Sequence, residues 1–369
     1  ASGLDVMKIA VPGTAGTPPM PTLLTKESSG IDSVARRVLS RARPRFQVVI
    51  TMKAMVPRHS PSASRGSQRR IQALAQFGAT WQSASYDPEL DLMFIGTGNA
   101  EPYNPKYRDG MDSLYTASVL AIRPKTGEVV WYYQTNPNDS FDFDATAEWM
   151  VADLRVDGRL RKTLISAHKS GFLYVLDRSN GKLISAKPYV RVNWASHIDL
   201  NSGRPVLTDL LDRAVKGETV DVFPSRGTNA TLIAFNPHTN LIYANTWNLA
   251  RVMKYVDYKF VLGGGSTAIE STGMTPKGEQ QAAGMLATAG GLLFTGRISG
   301  EMVALDIDTG KQLWQFKTGS SVNAPPITFT HKGVQYVTVL SGKGGSSASR
   351  YNNDVPPGGA VWTFALMPD

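Results

Sequence analysis

Asp142 and Asp144 alternate with two phenylalanines in the stretch Asp139-Ser140-Phe141-Asp142-Phe143-Asp144. If the chain is extended here, residues two apart point to one face and the two carboxylates come close enough to repel, a repulsion that a bound hard cation removes. The interleaved Phe141 and Phe143 point to partial burial rather than an acidic turn in solvent. Upstream, Gly96-Thr97-Gly98-Asn99 offers a neutral amide oxygen, a hard ligand suited to calcium or a similar ion, in a turn whose glycines permit close approach. Trp81, next to small residues, offers a large flat ring for stacking. Together these groups could hold a metal and a flat cofactor. Each also has a plainer reading: Asn99 as a left-handed turn residue, Trp81 as a core ring between sheets, the acids as a solvated turn.

Other chemistries find no support. The five histidines (59, 168, 197, 238 and 331) form no metal-spaced pair. The glycine-rich stretches 263–266 and 342–347 are not phosphate-binding loops, and no Gly-x-Ser-x-Gly elbow is present. The chain has no cysteine, which rules out disulfides, thiolate zinc and covalent c-type haem within it.

The elements that must position these groups follow from composition and punctuation. The net charge of +9 sits in one segment: residues 1–80 carry 12 Lys and Arg against 3 Asp and Glu, leaving 27 against 27 in the other 289. A basic nucleic-acid face on the main body is therefore unsupported. Within 1–80, residues 11–30 are rich in Pro, Gly, Thr and Ser, residues 35–45 lack acids, and residues 57–70 have the composition of disorder. Only Phe46 to Val56 is apolar enough there for a strand or short helix. The segment reads as a basic tail or as sequence not native to the fold. A targeting signal is disfavoured because no basic, apolar, small-residue succession appears. No apolar run approaches the roughly 20 residues of a membrane span.

From residue 81 onward, short apolar runs alternate with Gly, Pro, Asn and Asp turns. The runs are Leu90 to Gly96, Ser113 to Arg123, Glu128 to Gln134, Thr163 to His168, Phe172 to Asp177, Leu232 to Phe235, Leu241 to Thr246, Gly291 to Gly296, Glu301 to Asp306, Gln312 to Lys317, Gln335 to Leu340 and Ala360 to Ala365. This spacing predicts antiparallel sheets. Two stretches, Ala121 to Trp131 and Ala304 to Trp314, share Ala, Thr-Gly and Trp at identical offsets, and Leu176 to Leu183 is a degenerate third copy. Tyr86-Asp87-Pro88 and Phe235-Asn236-Pro237 open a second repeated hairpin. Recurring hairpin units predict an all-β chain built by radial repetition, a β-propeller.

These repeats resemble the tryptophan-docking motifs of the quinoprotein alcohol dehydrogenases, the methanol and ethanol dehydrogenase group that uses pyrroloquinoline quinone (PQQ). The similarity runs over residues 81–369 and includes Trp81, the 96–99 turn, the 139–144 stretch, His168 to Arg178, Tyr243 to Asn248, and Leu286 to Gly291. The resemblance implies that Trp81 floors the quinone and that Lys169 and Asn248 contact it. It implies that Asn99, Asp142 and Asp144 bind calcium or a lanthanide ion, Asp144 being the acid found in lanthanide-using members. Trp247 would line the substrate cavity or serve as another docking ring. The implied reaction is oxidation of an alcohol to an aldehyde or ketone, with Asp142 as general base and the metal polarising the quinone. A periplasmic location and a cytochrome c acceptor follow from the resemblance, which also leaves room for a homodimer.

The departures are specific. Members carry further blades before the equivalent of Trp81, with a metal-binding glutamate, an arginine and an adjacent-cysteine disulfide; here 80 unlike residues stand there, and Glu27 has no matching context. Ser346 stands where some members place a tryptophan at the cofactor edge. The expectation is an eight-bladed plan with about five blades present, truncated or altered at its N-terminal side and with an open edge. Two rivals remain: a quinoprotein acting on a polyol, sugar or polymeric alcohol, and a non-catalytic propeller serving as a scaffold.

Overall fold

The computed structural model describes residues 79–229, 231–247, 249–257, 267–275, 283–343 and 355–365, together with the backbone of 6–10; for 271–275 too only the backbone is described. In chain order, β1 (Val6–Ala10) is followed by a four-stranded antiparallel sheet of β2 (Ser85–Asp87), β3 (Leu92–Gly96), β4 (Ser118–Ile122) and β5 (Val129–Gln134). A second such sheet comprises β6 (Met150–Val156), β7 (Arg159–Ala167), β8 (Phe172–Asp177) and β9 (Leu183–Pro188). The hairpin β10 (Ala195–Ile198) and β11 (Pro205–Leu207) and the short helix α1 (Leu210–Val215) lead to β12 (Val220–Val222). β13 (Ala234–Asn236) pairs with β14 (Leu241–Asn245), whereas β15 (Ala250–Tyr255) lies between β12 and β16 (Ile269–Thr275). β17 (Met285–Ala287), β18 (Leu292–Gly296), β19 (Glu301–Asp306) and β20 (Gln312–Lys317) form the third four-stranded sheet. β21 (Ile327–His331), β22 (Val334–Gly342) and β23 (Gly359–Ala365) form the last.

The sheets stack face to face in sequence. Alternate residues of one strand serve two interfaces, as the twofold pleat requires: Leu164 joins the cluster shared with Phe94 and Ala121, and Ile165 joins the one shared with Ile233 and Ile242. Ala234 and Tyr243 then meet Leu293 and Leu305, and Phe294 and Ala304 meet Val339 and Phe364. The β6–β9, β13–β14 and β17–β20 sheets thus bury both faces against their neighbours, which is how propeller blades make a core from small sheets.

The repeats have the structural meaning the sequence suggests. Gly127, Gly181 and Gly310 take φ of 73°, 74° and 71°, and each donates its N–H over 2.8 Å to the carbonyl four residues back, on Arg123, Asp177 and Asp306. All three hairpins carry a register shift at the same place, opposing Ala121 to Trp131, Ala304 to Trp314 and, in the degenerate copy, Val175 to Ser185. Trp131 docks on the next blade: a Cβ added to Gly181 would lie 2.5 Å from its ring. In the second repeat, Asp87 Oδ1 accepts from the Glu89 N–H at 2.8 Å and Asn236 Oδ1 from the His238 N–H at 2.9 Å.

Three expectations need correction. The strand foreseen from Ser113 begins only at Ser118, because Ser113 and Ala117 take φ of 56° and 46° in turns. Val6–Ala10, not foreseen, pairs antiparallel with β14 from Val6 opposite Asn245 to Ala10 opposite Leu241; an open sheet edge offers backbone bonds that need little apolar sequence. The stretch 46–56 lies outside the described residues. The acid stretch is also not extended: Asp142 has a φ of 69° and lies in a loop.

Candidate active site

The Asp139 carboxylate, itself buried, accepts N–H bonds from Phe141 at 3.4 Å and Phe143 at 2.9 Å, curling the loop. Burial pushes Asp139 up to about 6. Phe141 and Phe143 turn into the core, with ring centroids 6.2 and 5.2 Å from Trp194. Asp142, between the two rings, and Asp144, next after Phe143, are engaged elsewhere. Arg108 clamps the root of the loop, with Nη2 donating to Tyr103 O at 3.1 Å, Asn138 O at 3.3 Å and Ser140 Oγ at 3.0 Å.

What the acids face is Lys169. Its Nζ lies 3.0 Å from Asp142 Oδ1 and 2.8 Å from Asp144 Oδ2, with the Lys169 and Asp144 side chains 6% and 5% exposed. The β7–β8 turn delivers the lysine. His168 is fully buried with Nδ1 2.8 Å from Ser170 Oγ and Nε2 3.2 Å from Thr135 Oγ1, and burial lowers its pKa to about 3. The other Asp142 oxygen, Oδ2, accepts from Arg251 Nη2 at 2.7 Å.

This asymmetry separates the two acids. Burial disfavours ionised Asp142, but Lys169 and Arg251 more than offset it and hold the carboxyl well below the usual range. For Asp144 burial prevails over the pull of Lys169, and the Asp142 charge adds to the upward shift. One fixed anion beside one near-neutral acid is an arrangement suited to proton handling. Burial, then the Asp142 charge, raises Glu101 and the Tyr103 phenol as well.

The glycine turn connects this cluster to Trp81. The Ala145 N–H donates to Thr97 O at 2.9 Å, and a Cβ at Gly96 would lie 1.8 Å from Ala145 O. Gly98 donates its N–H to Ala79 O at 2.9 Å, and a Cβ there would lie 2.8 Å from the Trp81 ring. Both glycines are required for close approach rather than for positive φ. Trp81 is 54% exposed, so it is not a core docking ring. Asn99 is buried and does not take the left-handed backbone. Its Nδ2 donates to Ala100 O at 3.1 Å, and among the described residues no hydrogen bond joins its amide to the acids. Trp247 is buried, with the Arg226 guanidinium 4.7 Å from its ring centroid. Asn248 lies outside the described residues.

The structure therefore brings Asp142, Asp144 and Lys169 together, sets Asn99 on the adjoining turn with the Trp81 ring against it, and adds Arg251, Glu101 and Tyr103. Arg251 had one available signal, a lone charge within the apolar run Leu249-Ala250-Arg251-Val252-Met253. Among the described residues no three His, Cys, Asp or Glu side chains converge on a metal position. Two carboxylates and an amide nonetheless fit a hard cation in type, and the Lys169 ammonium shows that a positive group is accommodated between the acids. The open Trp81 face over Gly98 fits a flat ring.

A stack of small antiparallel sheets carrying a buried acid and lysine cluster beside an open indole is a β-propeller with a candidate site on the loops between its strands. The sequence profile of the PQQ family, described as the glucose, ethanol and alcohol dehydrogenase β-propeller domain, matches residues 55–192 and 262–337. The chain is 40% identical over 298 residues to quinohemoprotein alcohol dehydrogenase ADH IIB of Pseudomonas putida, covering 73% of this chain and 43% of the relative. To quinoprotein ethanol dehydrogenase of Pseudomonas putida it is 38% identical over 335 residues, 78% of this chain and 54% of the relative. A europium-containing methanol dehydrogenase superposes with a TM-score of 0.71 at 32% identity, over 79% of this chain and 60% of that one. The chain belongs to the quinoprotein alcohol dehydrogenase family, and it spans about half the length of the curated relatives it matches.

Proposed function

We propose that residues 81–369 form a quinoprotein dehydrogenase propeller that oxidises an alcohol to an aldehyde or ketone. The observation that carries this is the buried Asp142–Lys169–Asp144 cluster, with bonds of 3.0 and 2.8 Å, on a loop tied to the turn that seats Trp81. When bound, PQQ with calcium or a lanthanide would supply the two-electron acceptor and the Lewis acid. Trp81 would stack on the quinone and Lys169 would hydrogen-bond its oxygens, with Asn248 a further contact. Asp142, Asp144 and Asn99 would offer oxygens to the metal. Asp142 would take the substrate hydroxyl proton, and the phenylalanines below the loop would keep water from the acids. Electrons would pass to a cytochrome c or a dye, in the periplasm.

Reconstitution tests this. Incubation with PQQ plus calcium or lanthanum is expected to quench tryptophan emission and support dye reduction with ethanol. No quenching under either metal would favour the scaffold reading. Quenching with reduction only by polyols or sugars would move the substrate class.

A further inference from the structure

Two cations hold Asp142, and they sit on different supports. Lys169 lies in a turn and divides its ammonium between two acids at 3.0 and 2.8 Å. Arg251 lies on β15, hydrogen-bonded on both sides, opposite Val222 of β12 and Met274 of β16. Its side chain is 12% exposed, and its Nη2 holds Asp142 Oδ2 at 2.7 Å. A flexible lysine can leave one partner for another, whereas a guanidinium on a central strand is fixed and directional. Asp142 needs such support because it occupies a loop with a φ of 69°, a conformation that costs a non-glycine residue free energy unless its surroundings hold it.

We propose that Arg251 is a positioning residue that fixes Asp142 Oδ2, leaving Oδ1, the oxygen now on Lys169, as the one that turns to a metal or a substrate hydroxyl. An aspartate without this clamp can rotate and give both oxygens to a cation. Arg251 touches Asp142 and interacts electrostatically with Tyr103 and Asp144, so its positive charge also opposes any cation entering between the acids. Arg251 therefore sacrifices metal affinity for carboxylate orientation. The inference rests on the reading of Asp142 as ligand and base.

The sign of two readouts tests it. Terbium(III) is titrated into the wild-type chain, Arg251→Met, Arg251→Gln and Arg251→Lys, following sensitised luminescence, with unfolding curves recorded alongside. Loss of a charge this close is expected to tighten terbium binding at least about tenfold in Arg251→Met and Arg251→Gln. Arg251→Lys, which keeps the charge, is expected to stay within about threefold of wild type on the same electrostatic argument. With PQQ and calcium, dye reduction by Arg251→Met should show a lower kcat at little-changed KM. Unchanged or weaker terbium binding in the charge-removing variants that unfold cooperatively overturns the proposal, as does a wild-type chain that binds no terbium. Should Arg251→Met not fold, Arg251→Gln decides by the same criterion. Tightened terbium binding in a chain that reduces no dye would sink the alcohol-oxidation reading and leave the role of Arg251 standing.

Discussion

Lys169 is the residue on which the electrostatics of the site turn. Its ammonium is all but buried between Asp142 and Asp144, so Lys169→Met leaves the buried Asp142 charge with Arg251 alone of its two cations and is expected to cost about 3–5 kcal/mol in a denaturation curve. Asp144→Asn should behave differently. Burial already drives Asp144 toward its neutral form, so the amide is expected to change stability by less than about 1 kcal/mol, since a near-neutral group loses little charge pairing. In the reconstituted protein the same change should abolish lanthanide-dependent activity and spare calcium-dependent activity; equal loss of both would contradict the role given to Asp144. Asp142, Asp144 and Lys169 are legible in the sequence because type, spacing and motif coincide. Arg251 is not, since a strand arginine has no spacing relation to a loop 109 residues away. The burial of the acids is foretold by Phe141 and Phe143, but the mechanism differs from simple alternation: Asp139 curls the loop, and the left-handed Asp142 replaces the extended chain.

Elements were legible wherever punctuation repeats. The Thr-Gly hairpins share one bonding pattern in three places, so sequence periodicity maps directly onto blades. β6, β15 and β21 are harder to read: Met150–Val156 and Ala250–Tyr255 mix charges among apolar residues, and Ile327–His331 is an exposed edge. At this scale the β7–β8 turn makes a pH prediction. His168 is neutral in the fold, its pKa lowered to about 3 by burial, whereas an unfolded histidine titrates near 6.5. Between those values the unfolded chain binds the additional proton, so stability falls as pH drops below about 6.5. Asp139, Asp144 and Glu148 are raised and act in the opposite sense, so a comparison with His168→Gln, in which they cancel, isolates the histidine. From pH 7 to pH 4.5 the wild type is expected to lose about 2–3 kcal/mol relative to the variant, read from urea midpoints. Parallel pH dependence in the two proteins would show that His168 takes up a proton in place.

Across the whole molecule, the stacking of sheets leaves one face uncovered among the described residues. In the last sheet Val337, Val339 and Phe364 face the neighbouring blade. The opposite face pairs Leu340 with Val361 and Phe329 with Tyr336, and Ile327, Phe329, Leu340 and Val361 are all exposed. In register, that face presents no Lys, Arg, Asp or Glu, since Ile327 lies beside Thr338, and Thr338 beside Thr363. An uncharged, half-apolar sheet face is adhesive in water. Sedimentation velocity of this chain is therefore expected to show association that grows with protein concentration and is insensitive to added salt, because hydrophobic contacts are not screened as ionic ones are. Leu340→Lys with Val361→Glu places a charge pair on exposed positions and is expected to shift unfolding by less than about 0.5 kcal/mol while reducing the associated fraction. If association persists unchanged in that variant, the adhesive surface lies elsewhere. Exposed Tyr86, Val129, Val130 and Tyr132 on the first sheet are then the next positions to charge.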